Sequence, residues 1–170
     1  MALFETERLI IQQFTLNDAP FILELLNSES WIKYIGDRKI RTIEDAEKYL
    51  LNGPIKNYSA IGFGLSLVKT KKENISIGMC GLIKRDTLKD VDIGFAFFPQ
   101  YEGKGYGFES ASAVMKNAKD VLKLNRVVAI TVNYNHSSIK LLERLGMILE
   151  GNIYMPGDTE ELMLFGINLG

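Results

Sequence analysis

A change of hydrophobic period in mid-chain constrains the fold more than any other feature. Val91, Ile93, Phe95 and Phe97 alternate with Asp92, Gly94, Ala96 and Phe98, the period of two that marks a strand. After Pro99 the apolar positions become Phe108, Ala111, Val114, Met115, Ala118, Val121 and Leu122, the spacing of one face of a long helix. Between them lies Gln100-Tyr101-Glu102-Gly103-Lys104-Gly105-Tyr106-Gly107. A strand must therefore enter a glycine-rich turn from which a helix starts. Glycines let the backbone turn tightly and bring several N–H groups close to an anion. The positive end of the helix dipole faces the same place, so a pyrophosphate would bind well there. Any strand-to-helix turn needs glycine, however, so the turn alone does not define a ligand. It is neither a Gly-x-x-x-x-Gly-Lys-Ser/Thr phosphate loop nor a dinucleotide turn, since it follows antiparallel strands late in the chain.

The remaining pattern supplies partners for this unit. Leu9 to Phe14 reads as a short opening strand, and Asn17 and Asp18 are placed to cap a helix with Phe21, Ile22, Leu25 and Leu26 as its stripe. Thr42 and Asp45 form a capping box for a second helix through Ala46, Tyr49 and Leu50, ending at Asn52-Gly53-Pro54. Phe63, Leu65 and Leu67 alternate with small residues, and Ile75, Ile77, Met79, Gly81 and Ile83 continue the alternation. With few turn residues between them, these runs pair most simply as consecutive antiparallel strands. Val127 to Val132 is nearly all apolar, as a strand covered on both faces should be. Ile139, Leu141, Leu142 and Leu145 make a short helix closed by Gly146. Ile148 to Met155 and Glu161 to Ile167 are two final strands. The expected order is β-α-α-β-β-β-α-β-α-β-β: an α/β (α+β) fold, 1–170 as one domain, with about seven strands in a mixed, mostly antiparallel sheet and about four helices.

Composition narrows the function classes. With 20 basic and 21 acidic residues the formal charge is −1, which argues against nucleic acid as partner. No signal peptide or run of 18 apolar residues is present, so no membrane association is expected. Cys80 is the only cysteine, which rules out an internal disulfide and favours a reducing, cytoplasmic setting. Cys80 could serve as an acyl-accepting nucleophile. Mid-strand and far in sequence from the single histidine, it reads instead as a buried structural thiol. No metal-ligating constellation is visible.

A second segment, Asn135-His136-Ser137-Ser138, enters the helix that ends at Gly146. Asn135 reads as an N-cap, with Ser138 in the first turn. The two segments also fall at the ends of neighbouring strands, where ligands collect in open sheets.

Taken in order, these stretches resemble the GNAT superfamily of N-acetyltransferases, and within it the RimJ/RimL-like branch. Thr6-Glu7-Arg8-Leu9-Ile10 is similar to that branch's opening Thr-Glu-Arg-Leu. Asp92-Ile93-Gly94-Phe95 resembles its Glu-Ile-Gly-Tyr strand, and Gly103-Lys104-Gly105-Tyr106-Gly107-Phe108-Glu109 resembles its Gly-Lys-Gly-Tyr-Ala-Thr-Glu loop. Asn135-x-x-Ser138 with Leu142-Glu143-Arg144-Leu145-Gly146-Met147 resembles its Asn-x-x-Ser and Glu-Lys-Leu-Gly-Phe helix. The resemblance spans nearly the whole chain. It implies transfer of the acetyl group of acetyl-CoA, as co-substrate, to a primary amine of a protein N-terminus or a small molecule, by a monomer or homodimer. The alternative is a non-catalytic acetyl-CoA sensor of the same fold.

The resemblance also implies roles. Phe95, Ala96 and Phe97 would offer backbone groups to pantetheine, Glu102, Gly103, Lys104, Gly105, Tyr106 and Gly107 would cradle the pyrophosphate, and Asn135 and Ser138 would line the thioester end. Two departures stand out: Glu102 replaces the usual Gln or Arg, which should weaken binding, and Leu142 stands where many members have a tyrosine acid. An alkyl amine is largely protonated at neutral pH, so a base must accept its proton. Asp92 is the first candidate, though it also reads as a solvated carboxylate near the Lys89-Asp90 turn. His136, Tyr134, Tyr154 and Glu150 remain open, His136 also reading as an exposed helix-start residue. Trp31 and Tyr34, with the Ile35-Gly36-Asp37-Arg38 loop, would form the substrate rim.

Overall fold

The computed structural model describes residues 2–170, and its strands form one sheet in the order β1-β2-β3-β4-β5-β6-β8-β7. The strands are β1 Ala2–Glu5, β2 Leu9–Gln13, β3 Leu65–Thr70, β4 Ser76–Ile83, β5 Asp92–Phe97, β6 Arg126–Val132, β7 Ile148–Tyr154 and β8 Glu161–Asn168. The helices are α1 Ala19–Leu26, α2 Glu29–Tyr34, α3 Ile43–Asn52, α4 Pro54–Ala60, α5 Tyr106–Asp120 and α6 His136–Arg144. The expected α/β class and mostly antiparallel sheet are present. The counts rise to eight strands and, among the described residues, six α-helices.

The additions have plain causes. β1 is a four-residue edge strand whose pairing with β2 shifts register between Ala2 and Phe4, too short to show a period. α2 is six residues long, capped by the Ser28 side chain, with Trp31 its only buried residue. At Asn52-Gly53-Pro54 the chain stops α3 and at once begins α4, with Pro54 in the first turn where no N–H is needed. Two local expectations are corrected. Thr15, rather than Asn17 or Asp18, supplies the capping oxygen, on a 3₁₀ turn that precedes α1. Phe63 lies outside β3, which begins at Leu65. The Thr42–Asp45 capping box forms as read. So does the end of α6: Gly146 has φ +89°, and the Met147 and Gly146 N–H groups bond to the Leu142 and Glu143 carbonyls, a Schellman closure.

The period-two alternation sorts apolar side chains onto two sheet faces. One face, with Ile11, Val68, Ile77, Ile93 and Phe97, packs with Ala111, Val114 and Leu142 of α5 and α6. The other, with Leu67, Met79 and Phe98, packs with Ile22, Leu25, Trp31, Ala46 and Leu50 of α1 to α3. Asp92, Gly94 and Ala96 share this second face with the α1–α4 helices.

All neighbours in the sheet are antiparallel except β5 and β6, which are parallel and pair only at Asp92 and Val128. β5 has six registered partners on β4, and β6 has seven on β8. Past Asp92 the two strands therefore diverge, and the sheet opens into a V.

Candidate active site

The V is the mouth of a cleft of about 1490 Å³. Its walls include the β5 residues Asp92 to Phe97, the turn residues Glu102, Gly103, Gly105 and Gly107, and Asn135 and Ser138 at the start of α6. Trp31 and Tyr34 lie on its other side. Most of the expected site residues are thus brought together from four separate stretches of chain. Lys104 and Tyr106 do not line the cleft, and neither do His136, Tyr154 or Glu150.

Strand parity determines which β5 backbone groups face the opening. The Phe98 N–H bonds to the Ile77 carbonyl on the β4 side, at 3.1 Å, while the Val91 carbonyl accepts the Val128 N–H on the β6 side, at 2.9 Å. Backbone direction alternates along a strand, so Phe95 and Phe97 turn their N–H and C=O groups toward the gap. There they have no strand partner.

At the turn, Gly103 and Gly105 have φ of +72° and +85°, a region that side chains disfavour. Gly105 is the N-cap of α5 and no side chain caps that helix, so its first N–H groups point into the cleft mouth without an intrahelical partner. The turn is held from an unexpected quarter. The Glu109 carboxylate accepts from the Thr6 hydroxyl (2.6 Å), the Arg8 backbone N–H (2.8 Å) and Arg8 Nε (2.7 Å). Arg8 also donates to the Lys104 carbonyl at 3.0 Å and lies over the Tyr106 ring at 4.4 Å. Burial would raise the Glu109 pKa, but these donors together hold it below the ordinary glutamate value. Arg8 thereby sets a positive charge beside the glycine turn. Sequence reasoning passed over that role because Arg8 and Glu109 are far apart in the chain.

On the facing helix, Asn135 Oδ1 accepts the Ser138 N–H at 3.2 Å, the capping bond expected of it. Ser138 is half-buried, and among the described residues its hydroxyl is not engaged by any side chain. Leu142 is 1% exposed and offers no proton. Tyr134 lines the cleft and donates to Glu160 at 2.8 Å. That bond raises its pKa and keeps it protonated.

Asp92 is the carboxylate at the point of the V. It is 1% exposed, which overturns the solvated reading: the side chain is held by Arg85 rather than turned out from the Lys89-Asp90 turn. Burial raises its pKa, and the Arg85 guanidinium, bonded through Nε at 3.0 Å, pulls the other way without cancelling it. The alternative bases are occupied or remote. Tyr154 donates to Glu161 at 3.0 Å, Glu150 is bound by Arg126, and His136 is exposed on the outer side of α6. Cys80 is fully buried and its pKa is pushed up to about 12 by burial, so it is no nucleophile. Among the described residues no cluster of three or more His, Cys, Asp or Glu side chains could hold a metal ion, and no helix is long and apolar enough to cross a membrane.

A sheet split between two parallel strands, beside a glycine turn that opens a helix, offers an unpaired strand edge next to a set of free helix-start N–H groups. Residues 8–148 match the family model described as the acetyltransferase (GNAT) domain, and the chain belongs to that family of acetyl-CoA-dependent N-acetyltransferases. It is similar to the uncharacterized N-acetyltransferase YnaD of Bacillus subtilis (strain 168), at 29% identity over 146 residues, covering 86% of this chain and 82% of the relative. Among solved structures it resembles a GNAT-family acetyltransferase from Bacillus anthracis, with TM-score 0.80, 26% identity and 97% of both chains covered. It also superposes on RimL, the ribosomal L7/L12 α-N-protein acetyltransferase in complex with coenzyme A. That match has a TM-score of 0.84 at 16% identity and covers 99% of this chain and 98% of RimL.

Proposed function

We propose that the chain transfers the acetyl group of acetyl-CoA to a primary amine by direct attack, with Asp92 as proton acceptor and Ser138 at the departing sulfur. The single observation that carries this reading is the open edge of β5 beside the glycine turn. Phe95 and Phe97 present unpaired N–H and C=O groups there, which can hold the amides of a pantetheine arm as a further strand would. The Glu102–Gly107 turn and the first N–H groups of α5 fit a pyrophosphate, and Arg8 supports the turn. The Glu102 carboxylate opposes the phosphate charge, so backbone donors carry the binding while Arg8 holds the turn in shape.

The chemistry follows from placement. Asp92 lies where the strands part, on the sheet face shared with the α2–α4 helices, so an amine entering from that side meets it. A carboxylate with a raised pKa is a stronger base than an ordinary one, and the Arg85 guanidinium beside it favours its ionised form. A backbone N–H on the open edge of β5 stabilises the oxyanion of the attacked carbonyl. A thiol leaving group has a pKa of about 8.5, so the Ser138 hydroxyl need only donate a hydrogen bond to the sulfur. The acceptor is a primary amine, either a small molecule or a protein N-terminal α-amine of the kind named for RimL.

The test measures thiol release from acetyl-CoA across a panel of amines, with wild type and Ser138→Ala. The expected result is amine-dependent release. Its kcat should fall about tenfold in Ser138→Ala while KM for acetyl-CoA changes little, because the hydroxyl matters most as sulfur gains charge. Full turnover with only a lowered melting temperature would return Ser138 to a structural part in the first turn of α6.

A further inference from the structure

The cleft that holds Asp92 also carries hydrogen-bond donors that find no acceptor among the described residues. Trp31 lines the cleft and is 6% exposed. Its indole N–H is buried without any hydrogen-bond partner among the described residues. A buried donor without an acceptor is unfavourable, and a ligand acceptor would remove that cost. Arg38 lines the same wall. Its neighbours Lys39 and Arg41 both take Asp37, at 3.8 and 2.5 Å, and among the described residues Arg38 meets no carboxylate. Arg85 spends only its Nε on Asp92, which leaves two terminal amino groups of the guanidinium without a side-chain partner.

Arg38, Arg85, Tyr49 and Trp31 line the same cleft. Burial raises the pKa of Tyr49, another residue of the wall, and the charges of Arg38 and Arg85 both act against that rise. Both guanidiniums therefore lie within electrostatic reach of one hydroxyl. The carboxylates nearby are already engaged. Asp45 accepts the Arg41 and Thr42 backbone N–H groups at 2.9 and 3.2 Å, Glu160 accepts from Tyr134 at 2.8 Å, and Asp158 accepts the Glu160 N–H at 3.0 Å. This side of the cleft has spare donors on Arg38, Arg85 and Trp31, while Asp45, Asp158 and Glu160 each already accept a hydrogen bond and Asp92 stands at its deep end.

We infer that the acceptor is an amine that also carries a carboxylate, which Arg38, Arg85 and the Trp31 indole N–H bind while its amino group faces Asp92. The inference rests on the transferase reading for the direction of the amine, and on the orphan donors for the carboxylate. Arg85 and Asp92 are 3.0 Å apart, so the two charges of the acceptor are separated by only a few bonds. A free amino acid and the acidic N-terminal segment of a peptide both offer that chemistry.

Two matched pairs distinguish these sources: β-alanine against propylamine, and Ser-Glu-Ala-amide against Ser-Gln-Ala-amide. With wild type, kcat/KM should be at least tenfold higher for the carboxylate member of one pair, and the pair that discriminates identifies the source. Arg38 is exposed, so Arg38→Glu should fold, and it should bring that ratio close to one. Equal kcat/KM within both pairs overturns the inference and leaves the transferase reading standing. If no amine is acetylated, the decision passes to Trp31, the only tryptophan of the chain. Its emission is followed during titration with N-acetyl-β-alanine. A saturable change that Arg38→Glu abolishes upholds the carboxylate site while transfer fails, and a flat titration overturns both.

Discussion

Asp92 is the residue at which fold and chemistry pull hardest against each other. Its carboxylate is buried and its pKa raised, chiefly by burial, so the folded protein holds its proton more tightly than the unfolded chain. Between the ordinary aspartate pKa, about 3.9, and the raised one, the native state binds more protons. Asp92's contribution to stability is therefore full below the unfolded pKa and is lost as pH rises through the folded pKa. Activity should run the opposite way, rising as the carboxylate forms. Asp92→Asn preserves shape and removes the proton acceptor, and we expect kcat/KM to fall about 10²-fold, the low end for a general base, because water can relay protons at an open cleft. The same variant should lose the acidic rise in its activity profile and this component of the pH slope in urea midpoints. Unchanged kcat/KM across pH 6–9 would remove Asp92 from the mechanism. The aspartate was legible as a candidate from its place in a strand and its likeness to a family motif. Its burial was not, since it depends on the tertiary packing of this sheet face, which no local pattern around Asp92 reveals.

At the scale of elements, the informative unit is the clamp between the lead-in to β2 and the first turn of α5. The Thr6-Glu7-Arg8 stretch was legible only as a family signature. In the folded chain it has a physical role, because Thr6 and Arg8 deliver three hydrogen bonds to Glu109. Arg8 passes the constraint on to the Lys104 carbonyl in the glycine turn. No local pattern could have announced a contact spanning a hundred residues, whereas β5, α5 and both caps of α6 were readable because period and capping are local. The short α2 and α4 escaped for the same reason in reverse, having too few turns to display a stripe. Glu109→Gln keeps the size but loses the charge and one acceptor. Hydrogen bonds to a charged group contribute about 1.5–3 kcal/mol, and the partly exposed Arg8 reduces that to about 1 kcal/mol. A melting temperature lower by about 2–4 °C is expected, with KM for acetyl-CoA raised severalfold and kcat nearly kept, since the clamp positions the turn and not the reacting atoms. Because the native Glu109 pKa is lowered, the wild type should lose this stabilisation as pH falls through that value, and the variant should not. A KM for the amine that rises as much as that for acetyl-CoA would contradict the assignment.

For the molecule as a whole, the decisive feature is that one sheet is nearly two. β1 to β5 with α1 to α4 form one part, β6 to β8 form the other, and they share a strand pairing only at Asp92 and Val128, with α5 and α6 packed behind the seam. The parting leaves backbone groups on two strand edges that only water can satisfy in the free protein, a cost that ordinary sheets avoid. A ligand lying in the V would satisfy groups on β5 and touch both halves, so binding should couple them. Ligand at 100 times its Kd adds about 2.7 kcal/mol to the stability of the bound fold. For a chain of this size that corresponds to a rise of roughly 5–11 °C in melting temperature. Coenzyme A should produce that rise, and a general gain in stability would slow exchange at every amide that opens by global unfolding. The open edge predicts something more local. The Phe95 and Phe97 amides face the gap, so in the free protein they should exchange as fast as loop amides, although both belong to β5. Coenzyme A should protect them far more than Phe98, whose N–H is already bonded to the Ile77 carbonyl at 3.1 Å. If hydrogen exchange by NMR shows Phe95 and Phe97 already protected in the free protein, the V is closed in solution. If they stay fast with coenzyme A at saturation, the pantetheine arm does not run along β5.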